Sequence, residues 1–354
     1  MNHLSQIAAK LSKYDLDAML ITSEPGERYA LGFHGEGLLI VTPDAVHYST
    51  DGRYIEAAQS QVTGADIVCT TTENTHLVLA EQFIRSKGLN KVGFESNYMD
   101  VDTYHRYADK LPCLLVPAKE LLGELRASKD AEELAAMRQA QAITDKVFQE
   151  VLAFIKPGMT EREVAAYLIY QLMRHGGERV SFDPIVAAGA NGSKPHAIPG
   201  DTVIEEGMFV TMDFGCVYNG YCSDMTRTIA VGQPTCEMKK VYDTVLQAQL
   251  AGIAAARAGA TGREVDAAAR QVIADAGYGT YFSHSFGHSL GLEIHEAPNA
   301  SAINQNPFPA GAVISAEPGI YIPGQFGVRI EDVLILTENG CENITASPKE
   351  LLVI

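Results

Sequence analysis

Residues 212–228 read MDFGCVYNGYCSDMTRT. Asp213 and Asp224 lie in an otherwise apolar, strand-like stretch, where a lone buried carboxylate is costly unless something neutralises it. Asn219-Gly220 between β-rich flanks predicts a two-residue type I′ hairpin. That turn pairs Tyr218 with Tyr221, Val217 with Cys222 and Gly215 with Asp224. Asp213 then shares a face with Gly215 by the period of two. The two aspartates become diagonal cross-strand neighbours, with Cβ atoms about 7 Å apart or somewhat less. Gly215 leaves space between them. The hairpin alone admits two readings: a pair of carboxylates gripping a cation, or two aspartates on an exposed polar face.

A repeat in the sequence bears on that choice. KPGMTEREVAAYLIYQLMRHGG (156–177) resembles RAGATGREVDAAARQVIADAGY (257–278). Each carries a capping box, Thr160/Glu163 and Thr261/Glu264, and each ends at a glycine, Gly176 and Gly277. Further on, GMFVTMDFG (207–215) aligns with GAVISAEPG (311–319), setting Glu317 against Asp213. YCSDMT aligns with GVRIEDV after a three-residue insertion, setting Glu331 against Asp224. If the halves are equivalent, Glu331 faces Gly319 and an odd-numbered loop centres on Gln325. Two halves packed about a pseudo-twofold axis bring four carboxylates together, and these cannot all remain ionised in an apolar site without cations.

The segment SHSFGHSLGLEIHE (283–296) adds His284, His288 and His295 on a glycine-interrupted stretch, and GSKPHAIPGD adds His196 on a Pro/Gly-rich loop. Beside four carboxylates, one histidine fits a ligand role and the others could transfer protons or hold a substrate. Oxygen donors with one imidazole suit Mn²⁺, Co²⁺, Fe²⁺ or Zn²⁺. Two such ions would activate water and polarise a carbonyl, which is hydrolase chemistry. The competing motif GHSLG (287–291) fits a nucleophile elbow on Ser289, but a strand–turn–helix is not indicated there.

These residues must be positioned by the surrounding elements. The first ~120 residues alternate strand-like runs (AMLITS, GLLIVTP, VHYST, DIVCTT, KVGFES, CLLVPA) with helical HLVLAEQFIRSKG and VDTYHRYADKL, an α/β pattern. GELRASKDAEEL then opens a long helix with Leu134, Met137, Gln141, Thr144, Phe148 and Val151 on one face. The expected domains are 1–124 and 125–354.

The whole chain has 354 residues, 46% of them hydrophobic, enough for two ordinary cores. Its 27 basic and 44 acidic residues give a net charge of −17, which argues against nucleic acid or an anionic membrane as partner. No run reaches the ~20 apolar residues of a membrane span, and the N-terminal stretch lacks a secretory pattern. Six cysteines without C-x-x-C read as reduced thiols of a cytoplasmic protein.

KPHAIPGD, MDFGCVYNGYCSDMTRT, HSFGHSLGLEIHE and AEPGIYIPGQFGVRIEDV, which follow one another in that order within 125–354, resemble the pita-bread metallopeptidases: prolidase, aminopeptidase P and methionine aminopeptidase. The N-terminal ERYALGFHGEG and STDGRYIEAA are similar to patterns of the creatinase-like domain that precedes the prolidase and aminopeptidase P branch. The resemblance implies an α+β, pseudo-twofold catalytic domain behind an α/β N-terminal domain. It implies Asp213, Asp224, His288, Glu317 and Glu331 as ligands of two divalent ions, with Mn²⁺ foremost and Co²⁺ or Zn²⁺ as alternatives. Glu317, His196 and His295 would be catalytic, and His284, Tyr321 and Arg329 supporting or substrate-binding. The implied activity is hydrolysis of the Xaa-Pro bond in dipeptides or short peptides by a homodimer. A broader aminopeptidase that also releases Met, or a silent peptide-binding module, are the alternatives.

Overall fold

The computed structural model describes residues 2–354, which form two compact units, one ending at Arg126 and one starting at Ala127. Each unit is described by itself. The first is built on a six-stranded mixed sheet in the order 66–69, 46–50, 38–41, 18–21, 91–94, 114–117. Strand 38–41 pairs antiparallel with both 46–50 and 18–21, and the other neighbours pair parallel. Helices His76–Lys87 and Val101–Lys110 start at Thr75 and Asp100, whose side chains accept from Val78 and Thr103 backbone N–H groups. Leu20, Ile40, Ile84 and Val92 close the core between sheet and helices.

In the second unit the expected long helix begins later than the charged run suggests. Lys119–Arg126 is a separate helix of the first unit, and Ala131–Phe154 starts afresh from a capping box of Asp130 and Glu133. Asp130 Oδ1 accepts from two backbone N–H groups, so the chain has its own start signal there. The predicted face of this helix is buried at Met137, Gln141, Thr144, Phe148 and Val151.

The repeat is structural. Both predicted capping boxes form, and helices Glu161–Arg174 and Gly262–Asp275 each end before a left-handed glycine, Gly176 and Gly277. In the first half, helices 131–154 and 161–174 pack Val147, Val164 and Leu168 on Val186, Val210 and Ile229 of a sheet ordered 226–231, 208–213, 185–188. In the second, Cys236–Ala255 and Gly262–Asp275 pack Val245, Val265 and Ala269 on Ile314 and Leu334 of a five-stranded sheet. Each of the two helix-covered sheets thus leads into a carboxylate-bearing hairpin. Among the described residues, no helix is long and apolar enough to cross a membrane.

The first hairpin has the predicted register: Tyr218 pairs with Tyr221, Val217 with Cys222, and further out Asp213 with Thr226. Asn219 and Gly220 both take positive φ, as a type I′ turn requires. The second hairpin corrects the expectation. Its loop is odd-numbered, Pro323-Gly324-Gln325, but centres on Gly324, which takes the left-handed position. Gly319 therefore faces Arg329, not Glu331. The flanking pair Ala316 with Asp332 keeps this register and brings Glu317 opposite Glu331.

The two glycines also serve a different purpose from the one expected. A Cβ on Gly215 would lie 2.0 Å from the Ser223 carbonyl oxygen, so that glycine permits close strand approach instead of parting the carboxylates. A Cβ on Gly319 would lie 2.4 Å from the Tyr321 hydroxyl, which needs that space to reach Arg329.

Candidate active site

All four hairpin carboxylates point into one cavity of about 530 Å³ in the second unit. Asp213 ends its strand, Asp224 lies between two short strands, and Glu317 and Glu331 sit at the break between the ladders 313–316/332–337 and 319–322/326–329. His288 enters from the short strand Gly287–Ser289, its Nε2 3.5 Å from Asp224 Oδ2 and 3.3 Å from Glu317 Oε1. Ligand atoms of Asp224, His288 and Glu331 all lie within 4.8 Å of one another.

The tautomer of His288 follows from its partner. Nδ1 lies 3.2 Å from the Ser289 carbonyl oxygen, which can only accept, so Nδ1 donates and Nε2 keeps its lone pair toward the carboxylates. Burial also holds the imidazole below its ordinary pKa, keeping it neutral.

Arg329 organises the opposite wall. Its Nη2 donates to Asp213 Oδ2 at 2.7 Å, Nε to Thr226 Oγ1 at 3.0 Å, and Nη1 to both the Tyr321 hydroxyl at 2.9 Å and the Pro195 carbonyl at 3.2 Å. Burial works against its charge, but Tyr321 and the carboxylates of Asp213, Glu317 and Glu331 hold it well above the ordinary value. His284 Nδ1 donates to the Ser285 carbonyl, so its Nε2 accepts the Tyr321 hydroxyl proton at 2.8 Å. Burial pushes the Tyr321 phenol up to about 12. The His284 backbone is fixed in turn by Arg270, which pairs with buried Asp266 and donates to the His284 carbonyl.

One arginine cannot balance four carboxylates. Burial, then the neighbouring carboxylates, raise the pKa of Asp224 and Glu331 well above the usual range. Burial raises Glu317 too, although His284 and Arg329 oppose it. Among the described residues, Asp213 Oδ1, Asp224 Oδ1 and Glu331 Oε1 are buried without any hydrogen-bond partner. Native interiors rarely leave such acceptors unmatched. Three orphaned carboxylate oxygens in one cavity, with Asp224 and Glu331 clustered around the His288 imidazole lone pair, are the donor set that hard or borderline divalent cations take. The residues fit metal.

Of the ten residues singled out from the sequence, nine line this cavity, and Tyr321 joins through its bonds to His284 and Arg329. The His295 ring stands edge-on to His288 at 4.4 Å between centroids, and His196 sits on the rim loop. Thr226 was not foreseen. It donates to Glu331 Oε2 at 2.6 Å while accepting from Arg329. A sequence cue existed, since Thr226 follows Asp224 by two and so shares its face. The lining residues Phe182, Asp183 and Asn299 carried no such cue. Ser289, the nucleophile-elbow candidate, is buried and donates to the Pro298 carbonyl at 2.7 Å, which leaves it no catalytic role here.

Residues 135–338 match the family model of metallopeptidase family M24. The chain belongs to that family. This M24 chain also matches, over residues 3–128, the Creatinase/Prolidase N-terminal domain, so its architecture is a creatinase-type N-terminal domain followed by a pita-bread domain. The M24 chain resembles a solved Xaa-Pro dipeptidase from Bacillus anthracis, with 39% identity, 99% of each chain covered and a TM-score of 0.96. It also resembles a solved X-Pro aminopeptidase from Thermotoga maritima, with 32% identity, 100% of each chain covered and a TM-score of 0.92. An Xaa-Pro dipeptidase of Pyrococcus horikoshii is 34% identical, with 99% of this M24 chain and 98% of the relative covered.

Proposed function

We propose that this protein hydrolyses the Xaa-Pro bond of dipeptides or short peptides at a dinuclear metal centre. The observation that carries the reading is the clustering of Asp224, Glu331 and His288, whose ligand atoms lie within 4.8 Å of one another and whose two carboxylates each keep an orphaned buried oxygen, in a chain with relatives named Xaa-Pro peptidases. Asp213, Asp224, His288, Glu317 and Glu331 would hold the two ions. When bound, the ions supply an activated water and Lewis-acid polarisation of the scissile carbonyl.

The remaining work falls to the chain. Glu317 takes a proton from the attacking water at a carboxylate oxygen; its raised affinity for protons suits it to that task. Its Oε1 is steadied by the Ser315 hydroxyl at 3.1 Å. His196 and His295 reach the cavity from separate segments and donate to the carbonyl oxygen as charge develops on it. Arg329 keeps Asp213 oriented, and Thr226 does the same for Glu331.

Proline makes a tertiary amide without an N–H. This site presents its groups to the carbonyl, so the missing N–H costs nothing. Phe182, Pro184, Ile198 and Ile294 offer apolar surface for the ring. Mn²⁺ is the ion we favour for an oxygen-rich set, with Co²⁺ and Zn²⁺ the competitors. Six free cysteines accord with work in a reducing cytoplasm, and a homodimer is the expected assembly, to be measured by sedimentation.

A panel of Ala-Pro, Ala-Pro-Yaa, Ala-Ala and Met-Ala-Yaa, assayed with Mn²⁺, Co²⁺ and Zn²⁺ in turn, tests the reading. A seat specific for proline gives a preference of roughly 10- to 200-fold in kcat/KM over the alanine substrate. Equal rates on Ala-Pro and Ala-Ala, or faster release of Met, would refute the proline assignment.

A further inference from the structure

His196 sits on a loop, residues 189–199, that also brings Pro195, Ala197, Ile198 and Pro199 to the cavity. A catalytic group on a loop needs something rigid beneath it. That support is a buried carboxylate on a different element. Glu161 is the first residue of helix Glu161–Arg174 and is fully buried. Its Oε1 accepts from the Ala188 backbone N–H at 2.7 Å, where the strand Ile185–Ala188 runs into the loop. Its Oε2 accepts from the Gly200 backbone N–H at 3.0 Å, where the loop ends. Both oxygens accept from Asn191 Nδ2, each at 3.0 Å, so the carboxylate also holds the first turn of the loop. One side chain thus joins the two ends of the segment. The third anchor is the bond from Arg329 to the Pro195 carbonyl, next to His196.

We infer that Glu161 is the positioning residue for His196, setting the place of the 189–199 loop over the cavity. This rests on the reading of His196 as a group that acts on substrate. Both carboxylate oxygens are needed as acceptors, because they face backbone N–H donors on opposite sides. A glutamine must present its NH₂ to one of those donors and so opens one end of the loop. Glu161 does not touch Asp213, Asp224, His288, Glu317 or Glu331 in any hydrogen bond or ion pair described here. Metal binding should therefore survive its replacement.

The test compares Glu161→Gln, His196→Ala and the double variant on an Ala-Pro substrate, with kcat and KM separated and bound metal measured on each protein. A misplacement of about 1 Å far from the chemistry can cost on the order of 100-fold. We expect Glu161→Gln to lose about 10- to 100-fold in kcat/KM, mostly in kcat, with metal content unchanged. In the His196→Ala background the same change should cost no more than about 3-fold, because the group it positions is already gone. Losses that multiply in the double variant, loss of metal in Glu161→Gln, or wild-type kinetics for Glu161→Gln would each overturn the inference. If Glu161→Gln does not fold, Asn191→Ala removes one arm of the clamp from the loop side. It should lose about 3- to 10-fold, again only while His196 is present, and equal loss in both backgrounds refutes the clamp. Wild-type turnover in His196→Ala would overturn the reading of His196 and this inference with it. A damaged His196→Ala whose loss multiplies with that of Glu161→Gln would overturn the clamp alone.

Discussion

Replacing Arg227 by Met should be among the most damaging single changes outside the cavity. The side chain is 1% exposed and its guanidinium joins the two halves of the second unit. Nε donates to the Pro348 carbonyl at 2.9 Å, and Nη1 to the carbonyls of Thr226 and Glu331. Nη2 donates to Asp332 Oδ1 at 2.7 Å and to the Ser347 carbonyl at 2.8 Å. Methionine fills a similar volume but leaves those acceptors unmet and Asp332 fully buried. Lys349 and Asn343 remain beside Asp332, so its charge is only partly compensated. Removing one partner of a buried pair costs about 3–5 kcal/mol. For a unit spanning 127–354, each kcal/mol is worth about 2–4 °C, so the melting temperature should fall by about 6–20 °C. Differential scanning calorimetry, with the transition of each unit resolved, is the assay. Adding Asp332→Asn to Arg227→Met should recover part of the loss, since the uncompensated charge disappears. A fall of less than about 3 °C would show that the guanidinium is dispensable and refute the argument.

Two further outcomes follow from the geometry. Asp224→Ala or Glu331→Ala should abolish bound metal and activity together, whereas His295→Ala should retain metal and lose turnover about 100-fold; metal analysis beside steady-state kinetics separates the two classes. In the first unit, hydrogen bonds from Lys10, then Lys13 and Tyr14, pull the Glu124 carboxyl down to about 2. A depressed folded-state pKa stabilises above the unfolded value and is lost as pH falls toward the folded one. Glu124→Gln should therefore be less stable than wild type at pH 7 by only about 0.2–1 kcal/mol, as the site is well solvated. The gap in urea midpoints should close between about pH 4 and pH 2, and a gap that widens toward acid would contradict the assignment.

What could be read from the sequence was whatever is decided locally. Asn219-Gly220 dictates one turn, that turn dictates a register, and the register dictates which side chains share a face with Asp224. Thr160/Glu163 and Thr261/Glu264 announce helix starts within four residues. Pro323-Gly324-Gln325 gives no comparable instruction, because a glycine at its centre leaves the register open by one step in either direction. The position of Glu331 opposite Glu317 had to come from the sheet on which both strands lie. Glu161 was invisible for another reason: an acidic residue in the first turn of a helix is ordinary, and only the docking of a loop nearly 40 residues on makes it a buried clamp. Thr226 and Arg227 likewise gain their meaning from partners about 105 positions away.

The three ligand atoms that lie within 4.8 Å come from both sides of the repeat, Asp224 from the first half and His288 and Glu331 from the second. Neither half holds all five proposed ligands: Asp213 and Asp224 belong to the first, and His288, Glu317 and Glu331 to the second. On the proposed ligand set, a bound ion would cross-link segments that covalent chain order keeps far apart. A polypeptide cut in the linker near Gln233, ahead of the helix Cys236–Ala255, should bind metal more weakly as separate pieces and regain full uptake only on reassembly, which turns metal uptake into a reporter of docking between the halves.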